Sequence, residues 1–485
     1  MNTKKEQVNI LFAAFEAAPF FKSGGLGDVA GALPAYVKSA NYDIRVIMPK
    51  LSAIPWQYQE KMEFIENFEV PLGWRMQYCG LFQLKYKGVI FYFIDNEYYF
   101  KRDKSYGEFD DGERIAFFSK AVLESIEHMQ GFVPDVLHCN DWHTALVPVY
   151  LREQYMQVPG FDHIKTIFTV HNLKFQGMFS DTLIENILGL KDTPADKQLR
   201  LGTAVNYMQG ALRYSDIITT VSPTYAEEIC TPYFGEHMDG LFNARRESLY
   251  GILNGIDYKE YDPLYDKNIE YHYSSKTVAN KKNNKLQLQA ELGFEVNEDI
   301  PMYAIISRLT EQKGLDLVTY ILPQISERGM QLVVLGVGDE KYEEAFSWYA
   351  GQYPNKISAL LKFDGALSNR IYAAADAFFV PSRFEPCGLT QMIAMRYGTL
   401  PIVRETGGLK DTVIPYNKYT GEGTGFSFTN YNAHELLSAL DNSLDVFYNN
   451  KKDWRRMQIH AMNSDFSWNK SAKVYRKLYR QLAGK

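Results

Sequence analysis

Cysteine is scarce: the 485 residues contain four, Cys79, Cys139, Cys230 and Cys387, far apart and in no C-x-x-C. That excludes a disulfide framework and a thiolate zinc site, and it fits a reducing cytoplasm. No run of about eighteen apolar residues free of charge occurs, so no membrane span is expected. Lysines precede an apolar stretch near the amino end, but Glu16 interrupts it, and the segment reads as a first core strand rather than a signal peptide. A long basic run is also missing. With 52 Lys and Arg against 58 Asp and Glu, the net charge is -6, so nucleic acid is not an expected partner and an anionic substrate must be held by a few local cations. Walker A, G-x-G-x-x-G and D-x-D patterns, fixed-period repeats and low-complexity tracts are absent as well.

What is present is the material of two globular cores. Hydrophobic residues make up 46% and charged residues 23%, and the length exceeds what one core serves. Short apolar runs rich in β-branched and aromatic residues alternate with helical stretches, which predicts α/β architecture with mostly parallel sheets. Strands are expected at Val8 to Phe15, Ile44 to Met48, Val89 to Asp95, Asp135 to Cys139, Thr166 to Val170, Ile217 to Val221 and Tyr250 to Leu253. Alternation between Phe64 and Phe93 predicts antiparallel hairpins added to that sheet. The polar stretch Asp257 to Glu298, with its N-K-K-N-N-K run, reads as a linker region. A second series follows at Pro301 to Ser307, Gln331 to Gly336, Ala359 to Phe363, Ala377 to Pro381 and Leu400 to Val403. Trp454 to Leu482 reads as helical. The division expected is 1–256 and 257–465 as two doubly wound domains, with 466–485 a helix packing across their junction.

Several motifs fall just past predicted strands, where parallel sheets bind ligands. K-S-G-G-L-G-D-V, Lys22 to Val29, offers a tight turn, exposed N–H groups and a cation. Its plain alternatives are packing geometry for the glycines and a solvated loop for Lys22. S-R-L-T-E-Q-K-G, Ser307 to Gly314, places Arg308 and Lys313 where a guanidinium fork and a point charge suit a diphosphate. P-S-R-F-E-P-C-G-L-T, Pro381 to Thr390, brings Glu385 to a helix start, with Cys387, Gly388, Leu389 and Thr390 as candidate binders of sugar hydroxyls or phosphate. Glu385 is otherwise a helix-start carboxylate. R-E-T-G-G-L-K-D, Arg404 to Asp411, adds another glycine turn. H-C-N-D-W-H, His138 to His143, and T-V-H-N, Thr169 to Asn172, end strands of the first half. The histidines and Asp141 are read as core or hydrogen-bonding residues, not metal ligands. Asn254, in L-N-G-I-D, either faces sugar or simply makes a turn.

In this order, with T-V-S-P-T-Y-A at Thr220 to Ala226 and S-R-F-E-P-C-G-L-T-Q at Ser382 to Gln391, the motifs resemble the bacterial glycogen synthase and plant starch synthase family over nearly the whole chain. The resemblance implies a GT-B fold, two Rossmann-like domains facing across a deep cleft, with acceptor glucan on the first and nucleotide donor on the second. It implies ADP-glucose as donor, an α-1,4-glucan such as glycogen as acceptor, and neither cofactor nor obligatory metal. Carried over by position, Lys22, Gly24 and Gly25 match the first-domain phosphate loop, and Asp28 its aspartate. Arg308 and Lys313 match the diphosphate clamp. Asp141, His171 and Asn254 match positions near the transferred glucose, and Glu385 the acidic residue beside the reacting sugar. Ser23 and Gly27 depart from the usual K-T-G-G-L-A-D-V. A second glutamate eight residues after the first, common in the wider fold group, is Ile393 here, which speaks against a two-carboxylate mechanism.

Two rival readings stay open on the residues alone. One is a retaining transferase of this fold using UDP-glucose or another acceptor. The other is a non-catalytic glucan- or nucleotide-binding regulator, against which the retention of Lys22, Arg308, Lys313 and Glu385 counts.

Overall fold

A computed structural model describes residues 6–485. The chain forms two compact units, one built from the residues up to Gly255 with Trp468–Lys485, the other from Ile256–Ser467.

The first unit contains β1 (Val8–Ala13), β2 (Tyr42–Pro49), β3 (Glu63–Leu72), β4 (Arg75–Tyr86), β5 (Val89–Asp95), β6 (Val136–Asn140) and β7 (Lys165–Val170). A small antiparallel sheet follows, made of β8 (Met178–Ser180), β9 (Arg200–Leu201) and β10 (Ala204–Asn206), and then β11 (Ile217–Thr220) and β12 (Leu249–Gly251). The large sheet runs β12-β11-β7-β6-β1-β2-β5-β4-β3. Every pairing is parallel except β3 with β4 and β4 with β5, the hairpins that the Phe64–Phe93 alternation predicts. The central strands are apolar on both faces because helices cover both sides; all but one residue of β1 is buried.

Strand order reverses between β1 and β6: the chain steps from β1 to β2 on one side and from β6 to β7 on the other. Ligand crevices in doubly wound sheets open at such reversals, beyond the carboxyl ends. Ala13 pairs with Cys139, so the segments after β1 and β6 start side by side.

The second unit repeats the design with β13 (Met302–Ile306), β14 (Gln331–Leu335), β15 (Ile357–Leu360), β16 (Ala377–Val380), β17 (Leu400–Arg404) and β18 (Phe426–Phe428). Its order is β15-β14-β13-β16-β17-β18, all parallel. Here the reversal lies between β13 and β16, where Ala304 pairs with Phe378.

Four expectations need correction. Residues 257–298 are not simply a linker: Lys281–Glu291 is a helix. Its buried face carries Lys281 and Lys285, one turn apart, which a hydrophobic-pattern reading counts as surface. They are tolerated inside because every ammonium is bonded. Lys281 Nζ donates to the carbonyls of Tyr372 (2.8 Å) and Ala373 (2.9 Å) and to Thr399 Oγ1 (2.8 Å), and Lys285 Nζ pairs with Asp376 Oδ2 at 2.7 Å. The helical region from Trp454 is two helices, Lys451–Asn463 and Trp468–Ala483, interrupted where Ser467 bridges Ile256 in a strand-like contact. The strand expected at Ala359 to Phe363 is instead Ile357–Leu360, shifted toward the amino end, and β18 has too few residues to announce itself. The final helix packs within the first unit: Arg476 donates to the Val37 carbonyl (3.0 Å), and Tyr479 OH bonds His138 Nδ1 (2.6 Å).

Candidate active site

In the first unit the segment leaving β1 folds around Glu16. This side chain is buried, and three hydrogen bonds from its own loop converge on it: Ser23 N (2.6 Å) and Ser23 Oγ (2.8 Å) on Oε2, Gly27 N (3.1 Å) on Oε1. Burial pushes the Glu16 carboxyl up, while the bonds from Ser23 and Gly27 pull it down. The helix Gly25–Val37 starts directly after this turn. Gly27 is a packing requirement, since a Cβ there would lie 2.4 Å from the Lys22 Cβ. Gly24 and Gly25 are different: both are exposed, and a Cβ on either would meet nothing within 4 Å. Lys22 Nζ rests on Asp28 Oδ1 at 2.8 Å across the turn.

Beside it, after β6, Asp141 occupies the left-handed region at φ 55°, unusual for a residue with a side chain. Its backbone N–H donates to the Thr169 carbonyl (2.9 Å), and its Oδ1 accepts from His171 N (2.7 Å). Burial pushes the Asp141 carboxyl up to about 7, opposed by the N–H groups of His171 and Asn172, with the Glu16 charge adding to the rise. His171 is oriented by a bond between Nε2 and Asn140 Oδ1 (2.9 Å), and burial pushes its imidazole down to about 3. A neutral His171 presents dipoles rather than charge, which suits sugar hydroxyls. His143, also pushed down to about 3 by burial, stacks on Phe15 at 5.2 Å. His138 is locked between Tyr479 OH and Thr169 Oγ1, both at 2.6 Å, and serves the core. Asn254 is buried, and its Oδ1 has no partner among the described residues. An orphaned buried acceptor asks for a donor, and a sugar hydroxyl is one.

In the second unit the loops after β13 and β16 lie backbone to backbone. Gly314 sits at φ 69°, and a Cβ there would meet the Pro381 carbonyl oxygen at 2.0 Å. That contact brings Lys313 Nζ to Glu385 Oε2 at 2.6 Å, and Ser382 Oγ donates to the same oxygen at 2.9 Å. Glu385 is buried. Arg308 is exposed at the end of β13. The glycine turn after β17 seats the Glu385 loop: Gly408 N donates to the Glu385 carbonyl (3.1 Å), and a Cβ on Gly408 would lie 2.0 Å from the Cys387 carbonyl oxygen. Gln391 closes the loop from the other side, its Nε2 donating to the carbonyls of Cys387 (3.1 Å) and Gly388 (2.8 Å). Leu389 and Thr390 then lead into the helix Thr390–Arg396.

Glu16, Asn140, Ser382 and Gln391 were not singled out as site residues in the sequence. Asn140, Ser382 and Gln391 lie inside motifs quoted for their neighbours, and Glu16 shows only as a lone carboxylate interrupting an apolar run just beyond a strand. Among the described residues no group of three or more His, Cys, Asp and Glu is arranged to hold a metal ion, all four cysteines are buried and none is in a disulfide, and no helix is long and apolar enough to cross a membrane.

Comparison with known proteins follows the same division. Residues 9–244 match the starch synthase catalytic domain, and residues 292–456 match the glycosyl transferases of group 1. A glycogen synthase from Clostridium acetobutylicum is 51% identical over 473 residues, 97% of this chain and 99% of that one. A glycogen synthase from Desulfitobacterium hafniense is 50% identical over 476 residues, 98% of this chain and 99% of its own. Among solved structures, the catalytic domain of starch synthase IV from Arabidopsis thaliana, bound to ADP and acarbose, superposes with a TM-score of 0.90 at 32% identity, covering 99% of this chain and 100% of that one. The fold class is therefore GT-B, with two Rossmann-like doubly wound domains.

Proposed function

The chain belongs to the glycogen synthase and starch synthase family, and from that premise we propose that it transfers glucose from ADP-glucose to the non-reducing end of an α-1,4-glucan with retention of configuration. The observation that carries the chemical part is the buried Glu385 paired with Lys313 at the second unit's strand reversal.

Breaking the bond from glucose to diphosphate leaves a cation-like sugar and a newly charged phosphate, so the useful contacts are those that strengthen as charge separates. Lys313 supplies a cation to that phosphate, and exposed Arg308 a fork-shaped donor. At about 4 Å and an effective dielectric near 20, each contributes on the order of 4 kcal/mol of gross attraction before desolvation. As Lys313 turns toward phosphate, Glu385 is released to steady the positive charge on the sugar. In the first unit, Lys22 and the open N–H groups of Gly24 and Gly25 are assigned to phosphate. Asp141, His171 and Asn254 are assigned to the glucose hydroxyls. Ile393 stands where the wider fold group has a second glutamate, so the acceptor hydroxyl is assigned to attack from the face the diphosphate leaves and to give its proton to the departing phosphate.

The test is release of nucleoside diphosphate with ADP-glucose or UDP-glucose, each with and without glycogen. ADP release that requires both ADP-glucose and glycogen is expected. Release from UDP-glucose alone would redirect the donor assignment, and no release at all would favour a binding protein. A β-anomeric proton signal in the first product would refute retention.

A further inference from the structure

The glycine turn after β1 has the composition of an anion-binding loop, yet two of its N–H groups are already engaged by the protein. We propose that Glu16 is the positioning residue of this turn: its carboxylate fills the Ser23 and Gly27 amides as an internal anion, and so presents Gly24 and Gly25, which lie between them, to phosphate. The inference rests on the donor-binding role proposed above.

The geometry is that of a template. Three donors converge on the two oxygens of one buried carboxylate, two from Ser23 and one from Gly27, at 2.6, 2.8 and 3.1 Å. Gly24 and Gly25 lie between these anchor points in sequence, and both are exposed. With the residues on either side tied to Glu16, the amides of Gly24 and Gly25 have their direction set before any ligand arrives, which lowers the ordering cost of binding. The anchors also restrict Lys22, which Gly27 packs against so closely that a Cβ on Gly27 would lie 2.4 Å from the Lys22 Cβ. A carboxylate is the group required. A carboxamide has one acceptor oxygen and would set its NH2 against an N–H, and an aspartate is one methylene too short to serve both ends of the turn.

Glu16→Gln should therefore raise the KM for ADP-glucose roughly tenfold or more while changing the KM for glycogen less than about twofold. Ser23→Ala removes one of the three bonds and should raise the donor KM roughly threefold, with Ser23→Thr, which keeps the hydroxyl, recovering most of the loss. Hydrogen exchange of the segment 20–30 in substrate-free protein reads the loop without reference to any reaction. Faster exchange is expected in Glu16→Gln than in wild type. If Glu16→Gln does not fold, the Ser23→Ala and Ser23→Thr pair carries the same comparison. Unchanged exchange in folded Glu16→Gln, or in Ser23→Ala should it stand alone, would overturn the positioning role. Faster exchange with equal rises in the donor and glycogen KM, or with neither KM changed, would overturn its link to phosphate. Wild-type protein inactive on ADP-glucose would defeat the functional reading instead, with the exchange result standing apart from it.

Discussion

The glycine turns of the two units look alike in sequence and are held in opposite ways. In the first unit a side chain, Glu16, binds the turn from beneath, and Gly24 and Gly25 face open space. In the second unit backbone lies directly on backbone: a Cβ at Gly314, Gly407 or Gly408 would lie 2.0 Å from the carbonyl oxygen of Pro381, Glu385 or Cys387. A run of glycines thus has two physical causes, room for a partner outside the protein or closeness within it. The electrostatics divide the same way, because Glu16 and Asp141 are met by N–H groups while Glu385 is met by an ammonium.

The sharpest way to break this comparison is to add one methyl group to each unit. Gly408→Ala has nowhere to put its Cβ, so the Glu385 loop must move. Turnover should fall more than roughly a hundredfold, and the second unit should lose about 1–3 kcal/mol of stability. Gly25→Ala places its methyl in open space at the first position of a helix, so stability should stay within about 0.5 kcal/mol while the KM for ADP-glucose rises. Thermal melts and steady-state kinetics on both variants decide it. Equal destabilisation of the two would show that the open and closed glycines are not distinct.

Next in size is the half-buried cation that meets Glu385 in the second unit. Lys313→Ala removes a charge from phosphate and strands Glu385 without its counter-ion, so turnover should fall roughly a hundredfold, about 3 kcal/mol. Arg308→Ala should cost turnover similarly, yet leave stability unchanged because the side chain is exposed. Adding Glu385→Gln to Lys313→Ala should restore stability and not turnover, since the stranded charge is gone but its chemistry is gone too. Near-normal turnover in both single variants would contradict the diphosphate assignment.

The parts of this design that could be read from the sequence are those written as strand followed by motif. Strand Val89–Asp95 was placed to the residue, and the motifs at Lys22, Asp141, Arg308 and Glu385 all lie just past strands. Strand order was not legible, so the sequence could not say that Asp141 stands beside Glu16, or that the Pro381 and Gly314 loops touch. Hydrophobic patterning also failed where polar groups are buried with partners. Lys281 and Lys285 looked like solvated charge because acceptors at Tyr372, Ala373 and Asp376 are about ninety residues away. Glu16 passed as an interruption because two of its three hydrogen bonds come from backbone amides, which the sequence does not display.

The last effect concerns stability against pH and not turnover, and it isolates how the first unit holds its carboxylates. Asp141 keeps its proton in the fold up to about 7, against an ordinary value of 3.8, so it stabilises the folded state while protonated and loses that contribution as pH rises between these values. His143 and His171, pushed down to about 3 from 6.5, act in the other direction: the unfolded chain takes up their protons first, and stability is lost as pH falls below 6.5. The two slopes oppose one another in wild type. Asp141→Asn keeps an acceptor for His171 N and removes the titration, so urea midpoints should show the variant gaining on wild type as pH rises from about 4 to about 7, by on the order of 2 kcal/mol once solvent relaxation is allowed for. In the variant the histidine slope stands alone, and its acid-side loss should be steeper than in wild type. A difference between the two proteins that stays constant with pH would mean that Asp141 is ionised at little cost, and that N–H groups alone hold a buried carboxylate as well as the Lys313 ammonium does.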